Sequence, residues 1–214
     1  MTIKEHFRIN NKQRIVETTF VLSLKKGFDN VSMKQIQEES GLAAGSIYYH
    51  FKNKDDLLLY IVNKYILSSL NQLKKDISKF NGSFMEKIRH IFTFKITSIG
   101  KEEESLFTSN TPEFDHKDYY MLITSIYHHY PQTRDMFTKL HDNLYDFYYE
   151  LIQEAIENKE IRGDIDIKTL VIFIQTILKG YIDLYVYQPH ISFEELVDAN
   201  LKMIQEAIKK NDKD

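Results

Sequence analysis

The sequence predicts an all-α protein, on three observations. Its 214 residues include only 7 Gly and 3 Pro, too few to supply the turns of a strand-rich chain. Apolar residues recur at steps of three and four, as in Phe137, Leu140, Leu144, Phe147 and Leu151, which is the period of a helix face. No segment has the pattern of a strand. With 43% hydrophobic and 28% charged residues, the chain has the makeup of a folded protein, neither disordered nor fibrous.

The elements follow in order. Residues 9–26 form a helix with Ile15, Val16, Thr19, Phe20 and Leu22 at helical spacing, and Gly27 stands where a C-terminal cap belongs. A short segment from Val31 to Ser40, the pair Gly41-Leu42 and another short helix ending near Phe51 come next. A long helix over 54–78 carries Leu57, Leu58, Ile61, Tyr65 and Leu73, and Asn81-Gly82 ends it. Residues 84–99 form the next helix, stopped near Gly100, and a shorter piece runs to the Thr111-Pro112 break. Helices then cover 116–129, 132–158, 166–187 and 193–210, punctuated by Pro131, Gly163 and Pro189. There is no internal repeat and no low-complexity run.

Composition excludes several functions. With no cysteine, disulfides, thiolate metal sites and cysteine nucleophiles are ruled out. No run of about 18 apolar residues is present, and MTIKEHFRINNK at the start has no apolar stretch of the secretory kind. A cytoplasmic location is expected. His128 and His129 are adjacent and point to different sides of a helix, while His116 and His141 lack ligand spacing. Asp164 and Asp166 lack the acidic repeat of a calcium loop, and Glu102, Glu103 and Glu104 read as a solvated face. No phosphate-binding glycine loop, nucleophile elbow or zinc motif occurs. No catalytic residue, metal or cofactor is therefore expected. The net charge of −3 hides an asymmetry: residues 1–64 hold 10 Lys and Arg against 7 Asp and Glu, and the rest hold 18 against 24. A basic head on an acidic body suits a nucleic-acid contact at the N-terminus.

The stretch from Ser32 to Phe51 has helix-turn-helix anatomy. Ser32 caps the first helix and Gln35, three residues on, completes a capping box. Ile36, Leu42 and Ile47 are spaced to fill a small core between the two helices, and Gly41 supplies the left-handed conformation of a sharp turn. A second helix so placed can enter the major groove.

Here a resemblance becomes specific. Gly41-Leu-Ala-Ala-Gly-Ser-Ile-Tyr-Tyr-His-Phe-Lys-Asn-Lys-Asp-Asp-Leu57 resembles the TetR (tetracycline-repressor) family signature G-V-S-x-G-T-L-Y-x-H-F-x-x-K-x-x-L, and Lys26-Gly-Phe-Asp-Asn-Val-Ser32 resembles the segment that precedes it. The resemblance implies an N-terminal three-helix DNA-binding domain over 1–53 and a larger helical ligand-binding and dimerisation domain over 54–214. It implies DNA-facing roles for Ser32, Met33, Lys34, Ala44, Gly45, Ser46, Tyr48, Tyr49, His50 and Lys54. Ser32 and Ser46 can donate to phosphates, and Lys34 can reach a guanine edge. Of Tyr48 and Tyr49, one is expected to pack against the first helix. His50 either donates to a phosphate or caps its helix. Lys54 opposes the helix dipole in a first turn where Asp55 and Asp56 fit it. A phosphate there would reward the lysine; the alternative is neutralisation by the neighbouring aspartates.

The chain departs from the family pattern at four places. Gln37 replaces a small residue and Ser23 a large apolar one. Ala43 replaces the Ser or Thr cap of the recognition helix, and Ala44-Gly45-Ser46 offers no Arg, Asn or Gln for bidentate base pairing. Direct base readout must be sparse.

So small a reading head needs a two-fold partner. The last two helices are expected to form a homodimer interface through Leu170, Phe173, Ile174, Ile177, Tyr181, Leu196, Val197, Leu201, Ile204 and Ile208. The middle helices are rich in aromatics, and Phe92, Phe107, Tyr127 and Tyr148 are the candidates to line a pocket for a small effector; an ordinary aromatic core is the alternative for each. The expected function is a repressor that binds a palindromic double-stranded DNA operator as a homodimer and is released by an apolar or aromatic small molecule, with activation open as the alternative, since the same contacts serve both. An enzyme on a helical scaffold, or a helical interaction module, are the competing readings.

Overall fold

The computed structural model describes residues 3–94, 116–188 and 190–209, and among these it has ten α-helices and no strand. Gly100, Phe107, Thr111, Pro112 and Phe114 and the three glutamates at 102–104 lie outside the described residues. The described chain falls into two compact units. One joins the chain up to Ser69 to the segment ending at Phe137; the other joins Leu70–Phe94 to the chain from Thr138 onward.

In the first unit α1 (Ile3–Lys26) is the central element, packed against α2 (Met33–Ser40), α3 (Ala44–His50), α4 (Lys54–Ile61) and α7 (His116–His129). Ile15, Val16 and Phe20 of α1 are fully buried, with Ile36, Ile47, Leu57, Leu58, Ile61 and Ile126 around them. Phe20 stacks on Tyr65 with ring centroids 4.4 Å apart. Burial of each such side chain stabilises by about 1.5–3 kcal/mol. Thr19 and Ser23 share this core, and their hydroxyls donate to the carbonyls of Ile15 and Thr19 at 2.7 Å. Ser23, where a large apolar residue was expected, thus carries no unmet polar atom at its hydroxyl. Gly27 ends α1 at φ 79 and ψ 146, a region that glycine alone visits freely.

Residues 54–79 are helical throughout, but not as one regular helix. α4 passes through a π-helical turn, Val62–Leu67, before α5 (Ser68–Lys79). Neither proline nor glycine lies in that turn to account for it.

The second unit contains α6 (Phe84–Phe92), most of α8 (Arg134–Glu157), α9 (Ile167–Tyr187) and α10 (Phe193–Ile208), with the greater part of α5. Its core includes Leu73, Ile88, Phe92, Tyr148, Ile152, Val171, Ile174, Leu201 and Ile204. Ser83 and Ser192 open α6 and α10 with capping boxes, and the Asp166 side chain caps α9. The Phe84 backbone N–H donates to the Glu160 carboxylate at 2.6 Å, tying α6 to the loop after α8. α6 is shorter than the expected 84–99. It stops at Phe92, where the Thr93 hydroxyl donates back to the Arg89 carbonyl and so competes with the helix ladder.

Helix α9 is 21 residues long with a mean hydropathy of 1.4, long and apolar enough by length and composition to cross a membrane, yet only 19% of that window is buried. The absence of an unbroken apolar run had hidden this, because Lys179 and Asp183 interrupt it.

Candidate nucleic-acid interface

Local sequence builds the head. The Ser32 hydroxyl accepts from the Gln35 N–H at 3.2 Å, and the Gln35 side chain accepts from the Ser32 N–H at 3.0 Å, so two orphan donors of α2 are met reciprocally. Gly41 closes α2 in the left-handed region at φ 64 and ψ 23. A Cβ there would lie 3.1 Å from the Arg14 guanidinium. Ala43 starts α3 with no side-chain cap. Ile36 and Ile47 are buried between the helices and Leu42 is half-buried. Asn11 of α1 donates to the Ser46 hydroxyl at 3.4 Å, a long hydrogen bond that leaves that oxygen only half-buried.

The outer side of α3 is open. Ala44, Gly45, Tyr48 and Tyr49 are exposed, and around Gly45 there is empty space where a side chain would stand. Tyr48 is 55% and Tyr49 65% exposed, so neither ring packs against α1 as one was expected to. Ile47 already fills the position facing α1, and its neighbours on a helix must point elsewhere. His50 is the last residue of α3, packed edge-on by Tyr49 at 5.0 Å; an imidazole suits the carbonyl end of a helix. Ser32 is exposed and Met33 half-buried. Lys34 is exposed and lies 3.8 Å from Glu38 one turn on, a solvated pair worth little.

Lys54 is held differently from either expectation. Its ammonium donates to the Asp29 backbone carbonyl at 3.1 Å and lies 4.5 Å above the Phe28 ring. Burial pushes its pKa below the usual lysine range, with Asp29 and Asp55 opposing that shift. Asn53 caps α4 as expected, accepting from the Asp56 N–H at 2.8 Å, and the Asp56 carboxylate accepts from Lys52 N–H.

Asp29 itself was not singled out by the sequence. Its carboxylate accepts from the Tyr130 hydroxyl at 2.6 Å and from His129 Nδ1 at 2.7 Å. A carboxylate only accepts, so Nδ1 carries the proton. The Tyr130 and His129 hydrogen bonds hold the Asp29 carboxyl below its ordinary range, against a small opposing effect of burial. The sequence offers no local signal for this cluster, since the partners lie 100 and 101 residues away.

The expected pocket residues divide between the two units. Phe92 and Tyr148 are buried in the core of the second unit. Tyr127 is 41% exposed in the first unit, edge-on to Phe137 and beneath Arg134, and Phe107 lies outside the described residues. The expected dimer residues divide. Leu170, Ile174, Leu196, Val197, Leu201, Ile204 and Ile208 are all buried within the single chain, so they seal its own core and present no surface to a partner. Phe173 is exposed and Ile177 half-buried; the Tyr181 side chain lies outside the described ones. Ile172, Leu184, Tyr187 and Met203, unlisted by the sequence reading, are exposed apolar residues.

A serine-capped helix, a left-handed glycine turn and a short second helix with an open outer face define a helix-turn-helix domain of the DNA-binding kind. Residues 15–61 match the profile of the bacterial regulatory proteins of the tetR family. Over these residues the chain is similar to the members of that family. It is 31% identical over 91 residues to an HTH-type transcriptional regulator of Staphylococcus aureus (strain bovine RF122 / ET3-1), a match spanning 41% of this chain and 49% of that relative. The chain therefore spans about half the length of that relative. Its fold is similar to that of a protein from Saccharomonospora viridis, described as a transcriptional regulator and solved with choline, at a TM-score of 0.75 and 17% identity over 94% of this chain and 98% of that one. A TetR-family transcriptional regulator from Cytophaga hutchinsonii gives a TM-score of 0.71 at 15% identity, covering 99% and 98%.

Proposed function

We propose that the chain is a cytoplasmic transcriptional repressor that binds a palindromic operator as a homodimer and is released by a small apolar or aromatic effector. One observation carries the reading: α3 turns an open face with Tyr48 and Tyr49 outward while Ile36 and Ile47 seal the turn behind it. A seven-residue helix with no Arg, Asn or Gln on that face reads little by bidentate pairing. Backbone contacts and groove shape must supply much of the affinity. Ser32, Met33, Lys34, Ala44, Gly45, Ser46, Tyr48, Tyr49, His50 and Lys54 form the proposed DNA-facing set, residues 1–53 the reading domain, and residues 54–214 the sensing and dimerising domain. The dimer is proposed to use the exposed Phe173, Leu184 and Tyr187 of α9, with half-buried Ile177 beside them and Met203 of α10. The choline-bound protein of similar fold supports a small-molecule effector in this architecture.

Selection of duplexes from a random DNA pool with the purified chain tests the reading. The expected product is one two-fold symmetric sequence with half-sites about 10 base pairs apart or a multiple of that spacing. Recovery of unrelated sequences at background level would overturn it.

A further inference from the structure

The turn between α1 and α2 is held from a distant part of the chain. Phe28–Asn30 is a single 3-10 turn, and the carboxylate of Asp29 in it accepts from both Tyr130 and His129, at 2.6 and 2.7 Å. His129 ends α7 and Tyr130 follows it. The Tyr130 ring packs edge-on against Phe28 at 5.4 Å. The other face of the same turn carries Lys54, on the Asp29 carbonyl and the Phe28 ring. Thus the start of α4, the entry to α2 and the end of α7 meet at one residue. Toward its other end α7 touches the reading head again, where Tyr119 packs edge-on to Phe20 at 6.5 Å and its hydroxyl donates to the Tyr65 carbonyl at 3.5 Å.

An exposed ion pair by itself contributes little, and His129 and Asp29 are 60% and 43% exposed. Two features set this cluster apart. Both donors converge on one carboxylate, and charge-assisted bonds of this length are stronger than neutral ones. Tyr130 is a rigid ring half-buried against Phe28, so its hydroxyl cannot follow Asp29 if α7 shifts. A displacement of about 1 Å takes either contact beyond hydrogen-bonding distance. The imidazole donates from Nδ1 to the carboxylate. Lys54 and Asp55 are the other charged groups facing the cluster.

We propose that Asp29, His129 and Tyr130 form a joint through which α7 sets the position of α2, α3 and Lys54. They are positioning residues: the joint, when closed, fixes the turn from which the reading helices start, and when open, it releases that turn and the lysine. This inference rests on the DNA-binding reading above and adds the route by which the rest of the chain regulates it.

The test uses the full chain in two measurements. Amide hydrogen exchange is followed in the wild type, Tyr130→Phe, His129→Ala and His129→Gln. Affinity is then measured for the duplex that the wild type selects from a random pool. Residues 28–50 should exchange about tenfold faster in Tyr130→Phe and His129→Ala, with α10 at the wild-type rate. His129→Gln keeps a side-chain N–H donor and should return both exchange and affinity to within about twofold of wild type. Affinity should fall roughly threefold to tenfold in the first two variants. Unchanged exchange over 28–50, equal acceleration in α10, or faster exchange with unchanged affinity would each overturn the joint. Should the wild type select no duplex, the DNA reading fails, and the exchange pattern alone still decides whether α7 holds the turn.

Discussion

Gly41 and Ala43 bracket the turn on which the reading head depends, and they sit at opposite ends of local stability. Gly41 occupies the left-handed region at φ 64, where an L-residue is strained by about 1–2 kcal/mol. Ala43 leaves the first turn of α3 without a side-chain acceptor. In a seven-residue helix the first-turn N–H groups are a large share of the total. Ala43→Ser should therefore stabilise the protein by about 0.5–2 kcal/mol, read as a higher urea midpoint at unchanged slope. A midpoint that stays or falls would show that the backbone at Ala43 does not let a hydroxyl reach the helix. These features were legible in the sequence because each depends on residues within three positions. The environment of Lys54 was legible only as an anomaly, a cation at a helix start. What resolves it, the Asp29 carbonyl, is 25 residues away, and no spacing rule connects the two. Asp29, His129 and Tyr130 were illegible for the same reason at four times the distance.

At the scale of elements, period alone recovered the course of the helices, because burial of one face imposes it. It did not say which face of α9 looks inward. That helix carries two apolar stripes. Leu170, Val171 and Ile174 face the core, while Phe173, Ile177, Gly180, Leu184 and Tyr187 follow one another at steps of three and four on the open side. A single sequence shows both stripes equally apolar, and only the packed chain separates them. In α10 the exposed residues Ala199, Met203 and Ala207 make a similar stripe, one turn apart. Contiguous exposed apolar surface of this kind marks an interaction site. A cleft of about 420 Å³ lies among Ile177, Gly180, Asp183, Leu184, Tyr187 and Asn200, beside the stripe assigned to the proposed dimer. If the proposed dimer forms through this stripe, Leu184→Lys should convert it to a monomer in sedimentation velocity, with helical content unchanged, since Leu184 is 41% exposed in the single chain. A variant that sediments as the wild type would remove α9 from the interface. The π-helical turn at Val62–Leu67 and the early end of α6 at Phe92 escaped the sequence, where apolar spacing runs smoothly through both.

At the scale of the whole molecule, charge and architecture support one function. The N-terminal 64 residues carry 10 basic against 7 acidic side chains, in a chain whose net charge is −3. A basic head on an acidic body orients the approach to a polyanion and keeps the remainder away from it. The fold class was legible from the scarcity of Gly and Pro, and the reading domain from one contiguous motif. The C-terminal half was legible only as helices, since a pocket of the proposed kind is made by residues far apart in the chain and no motif gathers them. The proposed head binds DNA largely through its phosphates. The most direct test is the affinity of the wild type for its selected duplex, measured from 50 to 200 mM salt, roughly the range over which counterion release is strong. Log K is expected to fall linearly with log salt, by about 0.9 for each phosphate neutralised, with several phosphates per proposed dimer. An affinity independent of salt, or no measurable binding at the low-salt end, would contradict it.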